Sequence, residues 1–249
     1  LHRVLNILFL HARLLCNPGH NVCFRHLACR FVGTKRPQWI EIEGCKNKVI
    51  RLKTKQVMQQ TQNVPTESAT QALNDWFSKH RRELPWRAAP TPYGTWLCEV
   101  IMQQTRIDQG TAYWHRFMEA FPDVEALAGA EEGEVLKLWQ GLGYYSRARN
   151  LHRAARWVVE ELGGVFPETA AGWRELPGVG PYTAAAVASI CFGEAVAAVD
   201  GNVNRVVARF VGLDEPVDRP VGRRAVEAAA EGLLDRRAPG RHNEAMMEL

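Results

Sequence analysis

Two carboxylic acids in this 249-residue chain stand where an acid could do more than solvate a surface. Glu99 lies within Trp96-Leu97-Cys98-Glu99-Val100-Ile101-Met102-Gln103-Gln104-Thr105, where Trp96, Leu97, Val100 and Ile101 share one helical face. Desolvation among such neighbours favours a protonated carboxyl, and a carboxyl that is neutral near pH 7 can act as a general acid. The plainer reading is a solvent-facing helix charge. Asp200 follows the apolar run Ala195–Val199 and precedes Gly201-Asn202-Val203-Asn204. An acid there can simply cap a helix. A carboxylate at the edge of an apolar region is also suited to stabilising a positive centre.

Between the two acids, Trp173-Arg174-Glu175-Leu176-Pro177-Gly178-Val179-Gly180-Pro181-Tyr182-Thr183-Ala184 reads as a helix, a glycine-rich hairpin and a second helix. Gly178 and Gly180 carry no Cβ and would let a phosphate backbone come close. Pro181 fits the first turn of the second helix, whose unpaired N–H groups can face an anion. Such a contact positions a nucleic acid without reading its sequence. The alternative is a tight turn between packed helices. Gln103 and Gln104 add amides able to meet base edges, although paired glutamines on a helix are also commonplace.

The elements that must position these groups are helical throughout the region from Gln71 onward. Apolar stripes at helical spacing run through Ala72–His80, Tyr93–Gln104, Gln109–Phe121, Glu132–Trp139, Ser146–Leu162, Tyr182–Cys191, Val203–Phe210 and Arg223–Leu234. Gly and Pro break the pattern at Phe121-Pro122, Gly141-Leu142-Gly143, Gly163-Gly164, Pro177–Pro181, Gly193 and Gly212. No alternating pattern of useful length interrupts them. The expected fold class is all-α, over a domain spanning residues 67–249.

Residues 1–66 differ. They hold 11 Lys or Arg against Glu41 and Glu43, whereas the remainder holds 20 against 25, so the net charge of +4 belongs to the leading segment and is no nucleic-acid footprint of the core. The segment lacks consistent periodicity and is expected to be an irregular, poorly ordered extension of unknown role. Its scattered arginines resemble an organellar leader. The first residue is Leu1, and an extension or translated upstream stretch is the preferred reading. The apolar run Val4–Leu10 falls short of the ~20 residues that cross a bilayer. Cys16, Cys23, Cys29 and Cys45 match no strong metal-ligand spacing, and Cys98 and Cys191 read as buried reduced thiols.

The string Leu176-Pro177-Gly178-Val179-Gly180, the downstream Val199-Asp200-Gly201-Asn202 and Glu99-Val100-Ile101-Met102-Gln103-Gln104-Thr105 together resemble the helix-hairpin-helix DNA glycosylase superfamily. Leu84-Pro85-Trp86-Arg87, Gly141-Leu142-Gly143-Tyr144-Tyr145-Ser146-Arg147 and Asn243-Glu244-Ala245-Met246-Met247 narrow the resemblance to adenine DNA glycosylases of the MutY type. The resemblance covers Gln71 to Leu249. It implies two helical subdomains with the active-site cleft between them, and hydrolytic removal of adenine mispaired with 8-oxoguanine or guanine from double-stranded DNA, the adenine being flipped out of the stack. By position, Glu99 would protonate the base and then help activate water, and Asp200 would stabilise the oxocarbenium-like sugar. Tyr182 and Asn202 would support the acids. Arg87, Gln104 and Tyr144, with Gly178, Val179 and Gly180 of the hairpin, would contact DNA.

Related endonuclease III enzymes place a lysine nucleophile where this chain has Tyr182, so a monofunctional glycosylase without amine-dependent lyase chemistry is expected. The family also implies a [4Fe–4S] cluster held by four closely spaced cysteines just beyond the helix containing Asn243 to Leu249. Those ligands are absent from this sequence, so the domain is expected to be incomplete at its C-terminus. A monomer with no membrane association is expected, inside the cell, with the bacterial cytoplasm or nucleoid first and an organelle or nucleus as alternatives. The competing functions are another base-excision glycosylase of the superfamily, thymine-mismatch or endonuclease III-like, and a non-catalytic DNA-binding module.

Overall fold

The computed structural model describes residues 66–249, together with the backbone of three short strands at 28–32, 39–43 and 49–53. The strands β1 (Ala28–Val32), β2 (Trp39–Glu43) and β3 (Val49–Lys53) pair antiparallel in the order β1-β2-β3. Of the extension expected at residues 1–66, little besides these strands lies within the described residues. From Ile40 to Glu43 and from Ile50 to Lys53 the sequence alternates apolar and charged residues, the two-residue period of a strand. Each strand is five residues long, too short to stand out before its partner is known. The four cysteines at 16, 23, 29 and 45 fall outside the described side chains.

The remainder is all helical, as its periodicity predicts. The helices are α1 (Thr66–His80), α2 (Pro85–Ala88), α3 (Pro92–Ile101), α4 (Ile107–Ala120), α5 (Val124–Gly129), α6 (Glu132–Trp139), α7 (Ser146–Leu162), α8 (Ala170–Trp173), α9 (Pro181–Phe192), α10 (Gly201–Phe210), α11 (Pro220–Leu233) and α12 (Pro239–Glu248). Their ends carry local signals. Thr91, Asp123 and Thr169 cap α3, α5 and α8 through side-chain oxygens, and Glu131 with Glu134 forms a capping box on α6. Gly163 and Gly193 close α7 and α9 in the left-handed conformation.

Two apolar clusters divide the helices. The larger joins α3 to α7 with the hairpin and α9, around Trp96, Phe117, Trp139, Trp173 and Leu151, all fully buried. Trp173 stacks on Phe166 at 5.1 Å, and Trp96 packs against both. The smaller joins α10, α11 and α12 around Val203, Val207, Val226 and Met246, with Leu73 of α1 against it. Helix α9 runs between them. Its segment Thr183–Ser189 is buried on every side, and its run of alanines permits close approach. A Cβ added to Gly240 of α12 would sit 2.6 Å from Ile190 Cα and Ser189 O of α9. Two helical subdomains meeting along α9 are thereby built from small residues at their seam.

Candidate active site

The acids come from opposite sides of that seam, near enough for Asp200 to push up the Glu99 carboxyl. Glu99 leaves α3 on the side of the larger cluster, and Asp200 starts α10 on the side of the smaller one. Tyr182 stands in the first turn of α9. Its Oη donates to Glu99 Oε2 at 2.6 Å and lies 2.8 Å from Met247 Sδ of α12. Burial pushes the Glu99 carboxyl up to about 7; the Tyr182 hydrogen bond pulls it down, Asp200 and Glu244 push it up, and Arg87 pulls it down. Burial likewise holds the Tyr182 phenol well above its ordinary value, with Glu99 adding to it, so Tyr182 stays a donor.

Asp200 is a helix cap, as the plainer sequence reading has it, and the cap shapes its chemistry. Its Oδ1 accepts from Val203 N at 2.7 Å and its Oδ2 from Asn202 Nδ2 at 3.0 Å. Two N–H donors and a helix N-terminus therefore surround those oxygens. Asn202, which the sequence reading expects to support the acids, is thus a hydrogen-bond donor to Asp200. The irregular segment leading to Asp200 is pinned by Asn243 of α12. That side chain accepts from Ala198 N at 3.0 Å and donates to Val196 O at 2.9 Å and Ser189 Oγ at 2.8 Å. Asn243 is 2 % exposed with all three of these bonds satisfied.

The hairpin separates its two glycines. Gly178 has φ +77°, and a Cβ there would lie 2.5 Å from Asn150 Cβ of α7, so its role is set by backbone and packing within the protein. A Cβ at Gly180 would meet nothing within 4 Å, so this glycine is the one whose surroundings leave room for an approaching backbone. Val179 packs onto the larger cluster. The helix before the hairpin is a single turn, α8.

Gln104 and Tyr144 are the two non-glycine residues with positive φ among the described residues, at +58° and +46°. Tyr144 is 66 % exposed, and Gln104 is exposed as well. The helical reading of Tyr93–Gln104 is corrected here: α3 stops at Ile101, and Met102 to Thr105 turn away. Arg147 accounts for the stop, because its Nη1 takes the carbonyls of Val100, Ile101 and Gln103.

Arg87, which the sequence reading expects to contact DNA, is held within the protein. Its Nε donates to Glu244 at 2.9 Å, its Nη2 to Glu248 at 3.0 Å and its Nη1 to the Arg82 carbonyl at 3.2 Å, and it lies over the Phe77 ring. Arg82 shares Glu248. This network ties α2 to α12 and leaves Arg87 only 12 % exposed at its side chain. Glu244, Asn243 and Arg147 are the residues packed around the candidate site that reasoning about single residues missed. They sat in recognisable motifs, but their partners lie tens of residues away.

Cys98 is buried, with its thiol pushed up by burial, and Cys191 is partly buried; both are free. Among the described residues, no three of His, Cys, Asp and Glu are grouped to hold a metal ion. The described residues thus do not fit a [4Fe–4S] cluster. No described helix is long and apolar enough to cross a membrane.

The chain is similar to known proteins in sequence and in fold. The chain is 42 % identical over 187 residues to the adenine DNA glycosylase of Homo sapiens, covering 72 % of this chain and 34 % of that protein. It is 37 % identical over 211 residues to that of Arabidopsis thaliana, covering 74 % and 33 %. The chain therefore spans about a third of the length of these relatives. Among solved structures, a thermostable thymine-DNA glycosylase superposes with a TM-score of 0.67 at 27 % identity, over 74 % of this chain and 84 % of that one. Endonuclease III in a trapped covalent DNA intermediate shares the fold, with a TM-score of 0.61 at 20 % identity, over 74 % and 85 %. Residues 97–231, which include Glu99, the hairpin, Tyr182 and Asp200, match the family of HhH-GPD superfamily base excision DNA repair proteins. The seam between its two helical clusters is thus that of a known architecture, and the chain belongs to the HhH-GPD superfamily.

Proposed function

We propose that the complete protein is a monofunctional adenine DNA glycosylase, hydrolysing the N-glycosidic bond of adenine mispaired with 8-oxoguanine or guanine in duplex DNA. The observation that carries this reading is the Glu99 carboxyl, partly buried, hydrogen-bonded to Tyr182 and close to Asp200. Excision of a neutral purine leaves a basic anion unless the base takes a proton as the bond breaks. A carboxyl that retains its proton near pH 7 can supply it. The bonding pair departs with adenine, Glu99 gives up its proton to the base, and positive charge develops on the sugar. The Asp200 carboxylate stabilises that charge. Water then attacks the anomeric carbon and yields a proton to the Glu99 carboxylate, which restores the acid. Tyr182 has no amine, so no Schiff base forms there.

Gln104 and Tyr144 are the residues we place against the DNA around the lesion, with Gly180 and the first turn of α9 on a phosphate. Arg87 acts from within the protein, through Glu244 and Glu248. A [4Fe–4S] cluster of the complete protein would be held by residues other than those described. The protein acts as a monomer on genomic DNA, hence inside the cell.

The likeness to a thymine-DNA glycosylase favours a second reading, removal of thymine from a mismatch. Single-turnover incubation of the full-length protein separates the two, using duplexes with adenine opposite 8-oxoguanine, guanine or thymine and with thymine opposite guanine. The proposal expects adenine release from the first two. Release of thymine alone would refute it.

A further inference from the structure

The guanidinium of Arg147, the second residue of α7, spans two loops that no other hydrogen bond joins directly among the described residues. Its Nη1 donates to Val100 O at 2.9 Å, Ile101 O at 3.2 Å and Gln103 O at 2.6 Å, all at the C-terminal end of α3. Its Nη2 donates to Leu142 O at 3.2 Å and Gly143 O at 3.4 Å, in the turn after α6. The cation also lies over the Trp139 ring at 5.1 Å and the Tyr144 ring at 5.8 Å. Five carbonyls from two loops thus converge on one planar fork.

Two further facts indicate that this is more than core filling. Arg147 has no carboxylate partner among the described ion pairs, so its charge is balanced by carbonyl dipoles, the α3 C-terminus included. An apolar side chain would fill the same space without desolvating a cation. In addition, the two strained non-glycine residues flank the atoms it binds: Gln104 follows the Gln103 carbonyl, and Tyr144 follows the Gly143 carbonyl. Left-handed backbone at such residues persists where the surroundings over-determine it.

We infer that Arg147 is a positioning residue that locks Gln104 and Tyr144 into a single preformed wedge, so that both loops meet the DNA together. The inference rests on the proposed placement of those two side chains against DNA. It predicts that the loops are coupled through Arg147. It also predicts that lysine cannot replace it, since a point-like ammonium with three donors cannot fork across five carbonyls.

The test uses the full-length protein and a duplex with adenine opposite 8-oxoguanine. Arg147→Lys should lower the single-turnover excision rate by about 10²-fold through misplacement of the wedge, with duplex affinity changed by no more than about threefold. A 2-aminopurine beside the target base should lose most of its fluorescence rise on binding. Tyr144→Ala should then add less than about threefold to the loss in an Arg147→Lys background, although it is severe alone. Should Arg147→Lys fail to fold, Gly143→Ala decides. Its added Cβ meets nothing within 4 Å, so only the left-handed turn is disturbed. It should speed hydrogen exchange at Gln103 to Thr105 by about tenfold while the Trp139 and Leu151 region stays protected. Wild-type excision by Arg147→Lys, fully additive losses with Tyr144→Ala, or unaltered exchange at Gln103 to Thr105 would each overturn the inference. Failure of the wild-type protein to excise adenine would instead refute the functional reading and leave the exchange result standing.

Discussion

Glu99 and Asp200 are both carboxylic acids on the same seam, yet their settings are opposite. Glu99 projects from the last turn of a mostly buried helix, with one phenolic donor on it and burial as its dominant influence. Asp200 begins a helix, and a backbone N–H and an amide already occupy its oxygens. One setting suits an acid that must hold a proton until the base needs it. The other suits an anion that must face a developing positive charge. The difference comes from what surrounds each residue, since α3 is buried on nearly every side and N–H donors come with the first turn of α10.

The largest effects should come from exchanging charge for shape. Glu99→Gln should lower single-turnover adenine excision by about 10³-fold or more while leaving duplex affinity within about threefold. It should also stabilise the fold at pH 8. A carboxyl whose folded value is raised from 4.5 to about 7 contributes its stability in full below about 4.5 and loses it as pH rises to about 7. The glutamine variant escapes that loss, so a gain of about 1–3 kcal/mol at pH 8 and none at pH 4.5 is expected in denaturant titration. Equal stability of the two proteins at both pH values would remove the contrast between the acids.

Asp200→Asn sharpens the same comparison from the other side. Asparagine caps helices about as well as aspartate, so thermal stability should fall by less than about 0.5 kcal/mol. Excision should nevertheless drop about 10²-fold or more, because the charge is gone. Loss of stability with full excision would reduce Asp200 to a cap. Asn243→Ala should cost about 2–4 kcal/mol of unfolding free energy, since it orphans Ala198 N and Val196 O in a buried segment. The smallest effect belongs to Tyr182→Phe: the bond that lowers the Glu99 carboxyl is lost, and the alkaline limb of the excision profile should move upward.

Much of this was legible in the sequence where the determinants are local. Glu132–Trp139 and Ser146–Leu162 form helices over those same residues, because an acidic capping box, a left-handed glycine and a continuous apolar stripe all agree. Glu99 among apolar neighbours and Asp200 before a helix could be singled out for the same reason. What could not be read depends on distant partners. The pattern in Tyr93–Gln104 continues through Gln104, yet Arg147 intercepts the carbonyls and ends the helix at Ile101. Arg87 has a charge suited to phosphate, but Glu244 and Glu248 lie more than 150 residues further on and claim it. The two hairpin glycines look equivalent until Asn150 is found against one of them.

The most direct test of the account is the pH dependence of single-turnover adenine excision by the full-length protein. Glu99 acts as the proton donor, so the rate constant should be highest below about pH 7 and fall roughly tenfold per pH unit well above it, with the wild-type profile losing this limb in Glu99→Gln. A wild-type rate that stays level from pH 6 to pH 9, or a Glu99→Gln variant that keeps the falling limb, would contradict it.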